Sequence, residues 1–190
     1  MSKKTSTIVG LGVLTAIVVV LQLFAAYLPV FPFTITLSLI PMLVGAALYG
    51  WWAGAWLGFV FGFVVLLTNA GAFLAVNIPG TIVTCILKGV AAGALAGLVY
   101  AALAKKNTIV ATVVAAIVEP IVNTGLFLVG CRLFFYETIC SWAGSEAVGH
   151  YMIFGLVGVN FIIELVANLI LSTAIVQIIK IGKKTVMTGK

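Results

Sequence analysis

Four side chains able to carry charge, Lys88, Glu119, Arg132 and Glu164, stand inside otherwise apolar stretches of the sequence. In a bilayer a charge near the centre of a helix costs at least ~2.5 to 3.5 kcal/mol, so such groups must pair with one another or face a polar cavity. Two chemistries follow. Either Lys88 or Arg132 neutralises Glu119 or Glu164 as a structural ion pair, or these groups surround an anionic or polar ligand. Amides extend the second reading. Asn123 lies one turn beyond Glu119-Pro120, where the proline frees a backbone carbonyl, and Asn160 and Glu164 share one helix face at i, i+4 spacing. Asn168 continues that stripe at a depth suited to hydrogen bonding between helices.

Catalytic chemistry has no comparable support. The chain carries no HExxH, no P-loop, no Ser/His/Asp arrangement and no aspartate at all, and its one histidine, His150, falls between apolar runs. Without a Walker motif it is not expected to hydrolyse ATP, and no enzymatic activity is expected. Cys85, Cys131 and Cys140 have no metal-ligand spacing, so neither a metal site nor a cofactor is expected. Buried apolar thiols are the favoured reading, with a Cys131 to Cys140 bridge left open if that face is oxidising.

The elements that must position these residues are dictated by composition. With 64% hydrophobic and 7% charged residues, the chain has too little polar surface to cover a water-soluble globule, so lipid must be its solvent. A spanning helix takes about 20 apolar residues, which allows about six spans here. The expected fold is an all-α integral membrane protein, a six-transmembrane-helix bundle forming one membrane domain over residues 1–190. Its spans are expected near 7–27, 35–49, 53–67, 81–103, 109–135 and 151–179. The first run resembles a signal peptide but is long enough to span and lacks a cleavage site, so it is kept as a helix. Pro29 and Pro32 end it, because lipid demands a complete backbone hydrogen-bond ladder. Span two contains Pro41 and is expected to be tilted or broken.

The formal charge of +6 does not form a nucleic-acid patch, because most of the basic residues lie at the ends of apolar runs. Threading six spans puts Lys3, Lys4, Lys105, Lys106, Lys180, Lys183, Lys184 and Lys190 on one side, and Glu137 and Glu146 on the other. By the positive-inside rule both termini are cytoplasmic, and the segments around Pro29 to Phe33, Asn69 to Gly80 and Tyr136 to Gly149 face outward. Lys88 and Arg132 then lie in the outer half. Small residues recur every four positions at Gly12 and Ala16, at Gly54, Gly58 and Gly62, and at Gly89, Gly93 and Gly97. Such stripes let helix backbones approach closely. The two triplets are read as internal packing, and the terminal pair as equally suited to a helix of another subunit.

The Gly12-x-x-x-Ala16 stripe, the run Phe33-Thr34-Ile35-Thr36-Leu37-Ser38-Leu39-Ile40-Pro41 followed by Gly45 and Gly50, and the run Glu119-Pro120-Ile121-Val122-Asn123-Thr124-Gly125 carry a family resemblance. Over nearly its whole length the chain resembles the substrate-binding S components of energy-coupling factor transporters. The resemblance implies a multi-pass subunit of the bacterial plasma membrane that binds a vitamin near the outer face. It also implies docking through Gly12 and Ala16 onto a membrane coupling subunit driven by two cytoplasmic ATPases. The family usually has alanine where Gly12 stands, a change that preserves close approach. Ligand contacts are expected from Lys88, Asn123, Arg132, Asn77, Asn160, Glu164 and Thr34, under cover of the segments after spans one, three and five. Pantothenate suits this set: its carboxylate would meet Lys88 or Arg132, and its hydroxyls and amide would meet Asn77, Asn123 and Asn160. Release inward is expected when the bundle tilts against its partner. The alternatives are another vitamin such as riboflavin or folate, a self-sufficient proton-coupled transporter relaying through Glu119 or Glu164, and an assembly subunit whose charges only pair internally.

Overall fold

The structure, a computed structural model, describes residues 3–27 and 36–188. Thr34 and the Pro29 to Phe33 segment lie outside the described residues. Helices account for nearly all of what is described: α1 (Lys3–Tyr27), α2 (Leu39–Tyr49), α3 (Trp51–Thr68), α4 (Gly71–Leu74), α5 (Ile78–Ala104), α6 (Thr108–Phe134), α7 (Tyr136–Ala143), α8 (Val148–His150), a π-helical segment (Tyr151–Val157) and α9 (Gly158–Thr188). Among the described residues there is no strand.

Five helical stretches are long and apolar enough to cross a membrane: Lys4–Tyr27, Trp51–Thr68, Ile78–Ala104, Thr108–Phe134 and Asn160–Gly182. The second apolar run behaves differently. As α2 it has 11 residues, a length of roughly 17 Å, too short to cross a hydrocarbon core of ~30 Å alone. It avoids lipid instead, with Leu39 and every residue from Pro41 to Ala47 buried against α1, α3, α5, α6 and α9. Pro41 sits in its first turn, where the missing N–H would have had no helical partner, so the proline starts this helix rather than breaking it. Pro120, by contrast, lies in the interior of a continuous α6.

Helix ends follow side-chain chemistry. Asn77 caps α5 by accepting the Gly80 N–H at 2.9 Å, with Pro79 in the first turn. Asn107 caps α6 by accepting the N–H groups of Ile109 at 2.8 Å and Val110 at 3.2 Å.

The tightest packing joins α3 to α5. A methyl group at Gly58 would run into the Gly89 carbonyl, one at Gly54 into the Gly93 carbonyl, and one at Gly62 into the Cys85 carbonyl. Each antiparallel step thus depends on a missing side chain, as expected where lipid offers no hydrophobic drive for association. Gly97 meets Trp51 and Ala46 instead. Toward one end of the bundle, Leu43, Val44, Ala96, Ala111, Ala115, Ala116, Ile175 and Ile179 close into a core joined by Leu14, Leu48 and Leu103. Exposed Lys105 and Lys106 lie at this end, where α5 passes to α6, and exposed Lys180 follows Ile179 on α9.

Candidate ligand-binding site

Toward the opposite end the helices separate around a cavity of about 320 Å³, within the ~300 to 1,000 Å³ range of small-molecule sites. Six parts of the chain position its polar groups. Gln22 comes from α1, Thr36 precedes α2, Asn69 ends α3, Lys88 lies on α5, Asn123 and Thr124 on α6, and Asn160 and Glu164 on α9. Apolar walls come from Phe61, Val65, Phe73, Phe127, Leu156 and Phe161.

Each helix presents these groups because of its spacing. On α9, Asn160 and Glu164 repeat at i, i+4, and Asn168 and Ser172 continue the buried stripe toward the packed end. On α6, Asn123 faces the cavity and Glu119, one turn deeper, is 1% exposed. On α5, Cys85 and Lys88 line the wall together, three residues apart.

The Lys88 ammonium lies 5.2 Å from the centroid of Phe127 and 5.9 Å from that of Phe61, a geometry that stabilises a cation through the ring faces. Among the described residues no carboxylate lies within 4.0 Å of it, the ion pair found being Glu146 with His150, both exposed, at 2.6 Å. The structural pairing of Lys88 or Arg132 with Glu119 or Glu164 is therefore not formed as a direct contact. Glu164 accepts the Thr36 hydroxyl instead. Glu119 Oε1, Asn123 Oδ1, Asn160 Oδ1 and Asn168 Nδ2 are shielded from solvent and without a hydrogen-bond partner among the described residues. Burying such atoms unpartnered is unfavourable, and two of them, on Asn123 and Asn160, belong to cavity-lining residues.

A short relay of hydrogen bonds supports the wall opposite α9. Gln22 Nε2 donates to Asn69 Oδ1 at 3.4 Å, Ser38 donates to Gln22 Oε1 at 3.3 Å, and Thr68 donates to Asn69 Oδ1 at 2.7 Å. Phe73 closes one side by meeting Phe127, Phe135 and Trp142 edge-on at 5.7, 4.9 and 5.5 Å.

Of the seven residues expected to touch a ligand, the fold brings four together, namely Lys88, Asn123, Asn160 and Glu164. Asn77 and Arg132 line a second cavity with Tyr136, Glu137 and Thr138. There the Arg132 guanidinium stacks 3.8 Å above the Tyr136 ring, and the Asn77 side chain is engaged as the α5 cap. Thr34 lies outside the described residues, two positions before Thr36, which does line the main cavity. Gln22, Thr36 and Thr124 line it without having been singled out, and Asn69, which also lines it, begins the segment expected to cover the ligand. Gly12 and Ala16 are exposed on α1, and a methyl group added at Gly12 would meet nothing within 4 Å. Among the described residues no group of His, Cys, Asp and Glu is arranged to hold a metal ion.

The sequence profile described as "ECF transporter, substrate-specific component" matches residues 6–179. The Pantothenic acid transporter PanT of Lactococcus lactis subsp. cremoris (strain MG1363) is 30% identical over 191 residues, covering 91% of this chain and 93% of that protein. No solved structure matches.

Proposed function

We propose, since this chain belongs to the substrate-specific components of energy-coupling factor (ECF) transporters, that it captures pantothenate in the cavity between α5, α6 and α9 and delivers it across the membrane. A multi-pass substrate-specific transporter component of the bacterial cell membrane is the established frame. The vitamin, the site and the coupling are our reading.

One observation carries it. Lys88, a cation without a contacting carboxylate, shares a cavity with the unpartnered amide oxygens of Asn123 and Asn160 and with Glu164. Pantothenate offers a carboxylate for the ammonium, an amide N–H and hydroxyls for the acceptors, and a branched apolar middle for Phe61, Phe127 and Phe161. A charge-assisted hydrogen bond in a water-poor site is the strongest single term available to such a ligand. The carboxylate is assigned to Lys88 rather than Arg132, whose guanidinium is exposed and stacked on Tyr136. The relative's name adds support for the substrate class.

In this reading α2 is the sixth helix of the bundle, both termini are cytoplasmic with the lysine-bearing end, and the cavity lies in the outer half. Gly12 and Ala16 on α1 dock a membrane coupling subunit, and two ATPases supply the energy that this chain has no motif to harvest. The whole bundle tilts against that partner to release the vitamin.

Equilibrium binding of tritiated pantothenate to the purified protein, against riboflavin and folate, tests the substrate. Saturable binding of pantothenate alone is expected, and binding of riboflavin or folate in its place would overturn the assignment. Cellular uptake with and without the coupling subunit and ATPases tests the dependence. Uptake that persists without them and follows the proton gradient would make the protein a secondary transporter.

A further inference from the structure

Close helix packing does not account for every glycine of the bundle. On α3, a methyl group at Gly54, Gly58 or Gly62 would strike the backbone of α5. Gly125 on α6 and Gly158 at the start of α9 are unlike these. A methyl group at Gly125 would meet nothing within 4 Å, and one at Gly158 only the Ile153 carbonyl at 3.9 Å. Both line an apolar groove of about 540 Å³ between α6 and the chain from Ile153 to Ile162. Ile121, Ile153, Phe154 and Ile162 give it exposed apolar walls, and among the described residues that line it only Thr124 is polar.

The helices on both sides are long and apolar enough to span a membrane, so the groove opens on lipid. Lipid contact is ordinary for such a surface, but concavity is not. An acyl chain on a convex face touches protein on one side, whereas in the groove it touches both walls, and dispersion contacts add with each. Gly125 and Gly158 deepen the groove by one side chain on either wall. At its back, Thr124, Val157 and Phe161 also line the polar cavity, so a chain seated there lies one layer of side chains from it.

The α6 wall ends in a charge. Ile121, Gly125, Leu128 and Arg132 follow one another at i, i+4, i+7 and i+11, which is one helix face. Arg132 stands in the last turn, about 6 Å beyond Leu128. Its guanidinium is exposed, lies 3.8 Å from the centre of the Tyr136 ring, and among the described residues has no carboxylate within 4.0 Å. Stacking uses the face of the guanidinium and leaves its N–H edge for an oxyanion. The end of a 27-residue helix, roughly 40 Å long, reaches headgroup depth, and the oxyanion met there is a lipid phosphate. A transmembrane helix of another subunit would have to carry its own anion at that depth.

We propose that this groove is a phospholipid site, with one acyl chain lying between Gly125 and Gly158 and the phosphate held by Arg132. The site does not depend on which ligand the polar cavity takes.

Native mass spectrometry of the purified, delipidated protein titrated with phosphatidylglycerol tests it, beside a diacylglycerol of the same chains that lacks the phosphate. One phosphatidylglycerol should bind ahead of all others. Gly125→Phe, which fills the groove from an open position, should weaken that first binding at least tenfold and weaken diacylglycerol as much. Arg132→Gln should weaken phosphatidylglycerol about tenfold and leave diacylglycerol unchanged. The same enlargement at exposed Leu98 on α5, Leu98→Phe, should change neither. Binding without a tighter first site, a first site that Gly125→Phe leaves intact, or phosphatidylglycerol binding that Arg132→Gln leaves unchanged would overturn the proposal. If Gly125→Phe abolishes assembly with a coupling subunit while lipid binding is unchanged, the groove is a helix interface and the lipid site falls.

Discussion

The two ends of the bundle are built on opposite terms. At the lysine-bearing end, Ala96, Ala111, Ala115, Ala116, Ile175 and Ile179 fill the space between helices, and glycine pairs lock α3 to α5 farther along. At the other end the same helices carry Lys88, Asn123, Asn160 and Glu164 into a cavity, leave two of its amide oxygens without partners, and are covered by a π-helical segment between two left-handed glycines. The first end is satisfied by itself. The second leaves polar atoms of its own helices without partners. A membrane helix can serve both because its four-residue spacing keeps one face continuous while the residue types on that face change along its length. On α9 the stripe runs from Asn160 and Glu164 through Asn168 and Ser172 to Val176.

Damage to the packed end should therefore remove the fold, and damage to the cavity end should remove binding alone. The largest effect is expected from Gly58→Leu, which drives a side chain into the Gly89 backbone. Overpacking costs ~1 to 3 kcal/mol and more where the neighbour is unyielding backbone, and most of the protein should elute as aggregate on size-exclusion chromatography in detergent. A monodisperse variant with an unchanged melting temperature would mean that the α3 to α5 contact is not what holds the bundle.

Lys88→Met is next. It keeps the length of the side chain against Phe61 and Phe127 but removes the charge, and with it a hydrogen bond to a carboxylate worth ~1.5 to 3 kcal/mol. Pantothenate affinity should fall roughly 10- to 150-fold. The melting temperature of the ligand-free protein should hold or rise, because a desolvated cation is replaced by an apolar side chain. A large loss of stability would instead make Lys88 a structural residue. Asn123→Ala should follow with a smaller loss, ~1 kcal/mol or about fivefold in affinity, read by the same binding measurement.

The sequence reveals the expensive part of this site and hides the inexpensive part. Charged and amide residues inside apolar runs are conspicuous because lipid penalises them wherever the helices go, and that penalty is local. Lys88, Asn123, Asn160 and Glu164 could be singled out for this reason. Gln22 carried the same signal, as an amide in the first apolar run, and its burial at 6% exposure shows the signal was sound. Thr36 and Asn69 stand near the ends of apolar runs, where polar residues ordinarily face headgroups, and only the packing of α2 and α3 turns them inward. Nothing in the sequence separates Phe61, Phe73 and Phe127 from lipid-facing phenylalanines. The helical membrane class follows from composition, and the second apolar run at 35–49 is already short for a span, whereas the role of Pro41 does not follow, since it reads equally as a break within a helix or as its first turn. The left-handed backbone at Gly158 is likewise invisible, because the chain holds 20 glycines and most serve other ends.

The smallest expected effect is the most discriminating for the site. Arg132 and Lys88 are both cations of long apolar helices, Arg132 in the last turn of α6 and Lys88 well inside α5. They differ in surroundings: Lys88 has two aromatic rings and the amides of Asn123 and Asn160 about one cavity, and Arg132 has the Tyr136 ring and solvent. An exposed cation interacts weakly with any anion because water screens it. Arg132→Gln should therefore change pantothenate affinity by less than about twofold, within ~0.4 kcal/mol, and do so equally at low and high salt. A loss comparable to that of Lys88→Met would move the carboxylate to the second cavity, beside Asn77 and Tyr136, and leave Lys88 as a charge kept for the aromatic rings that flank it.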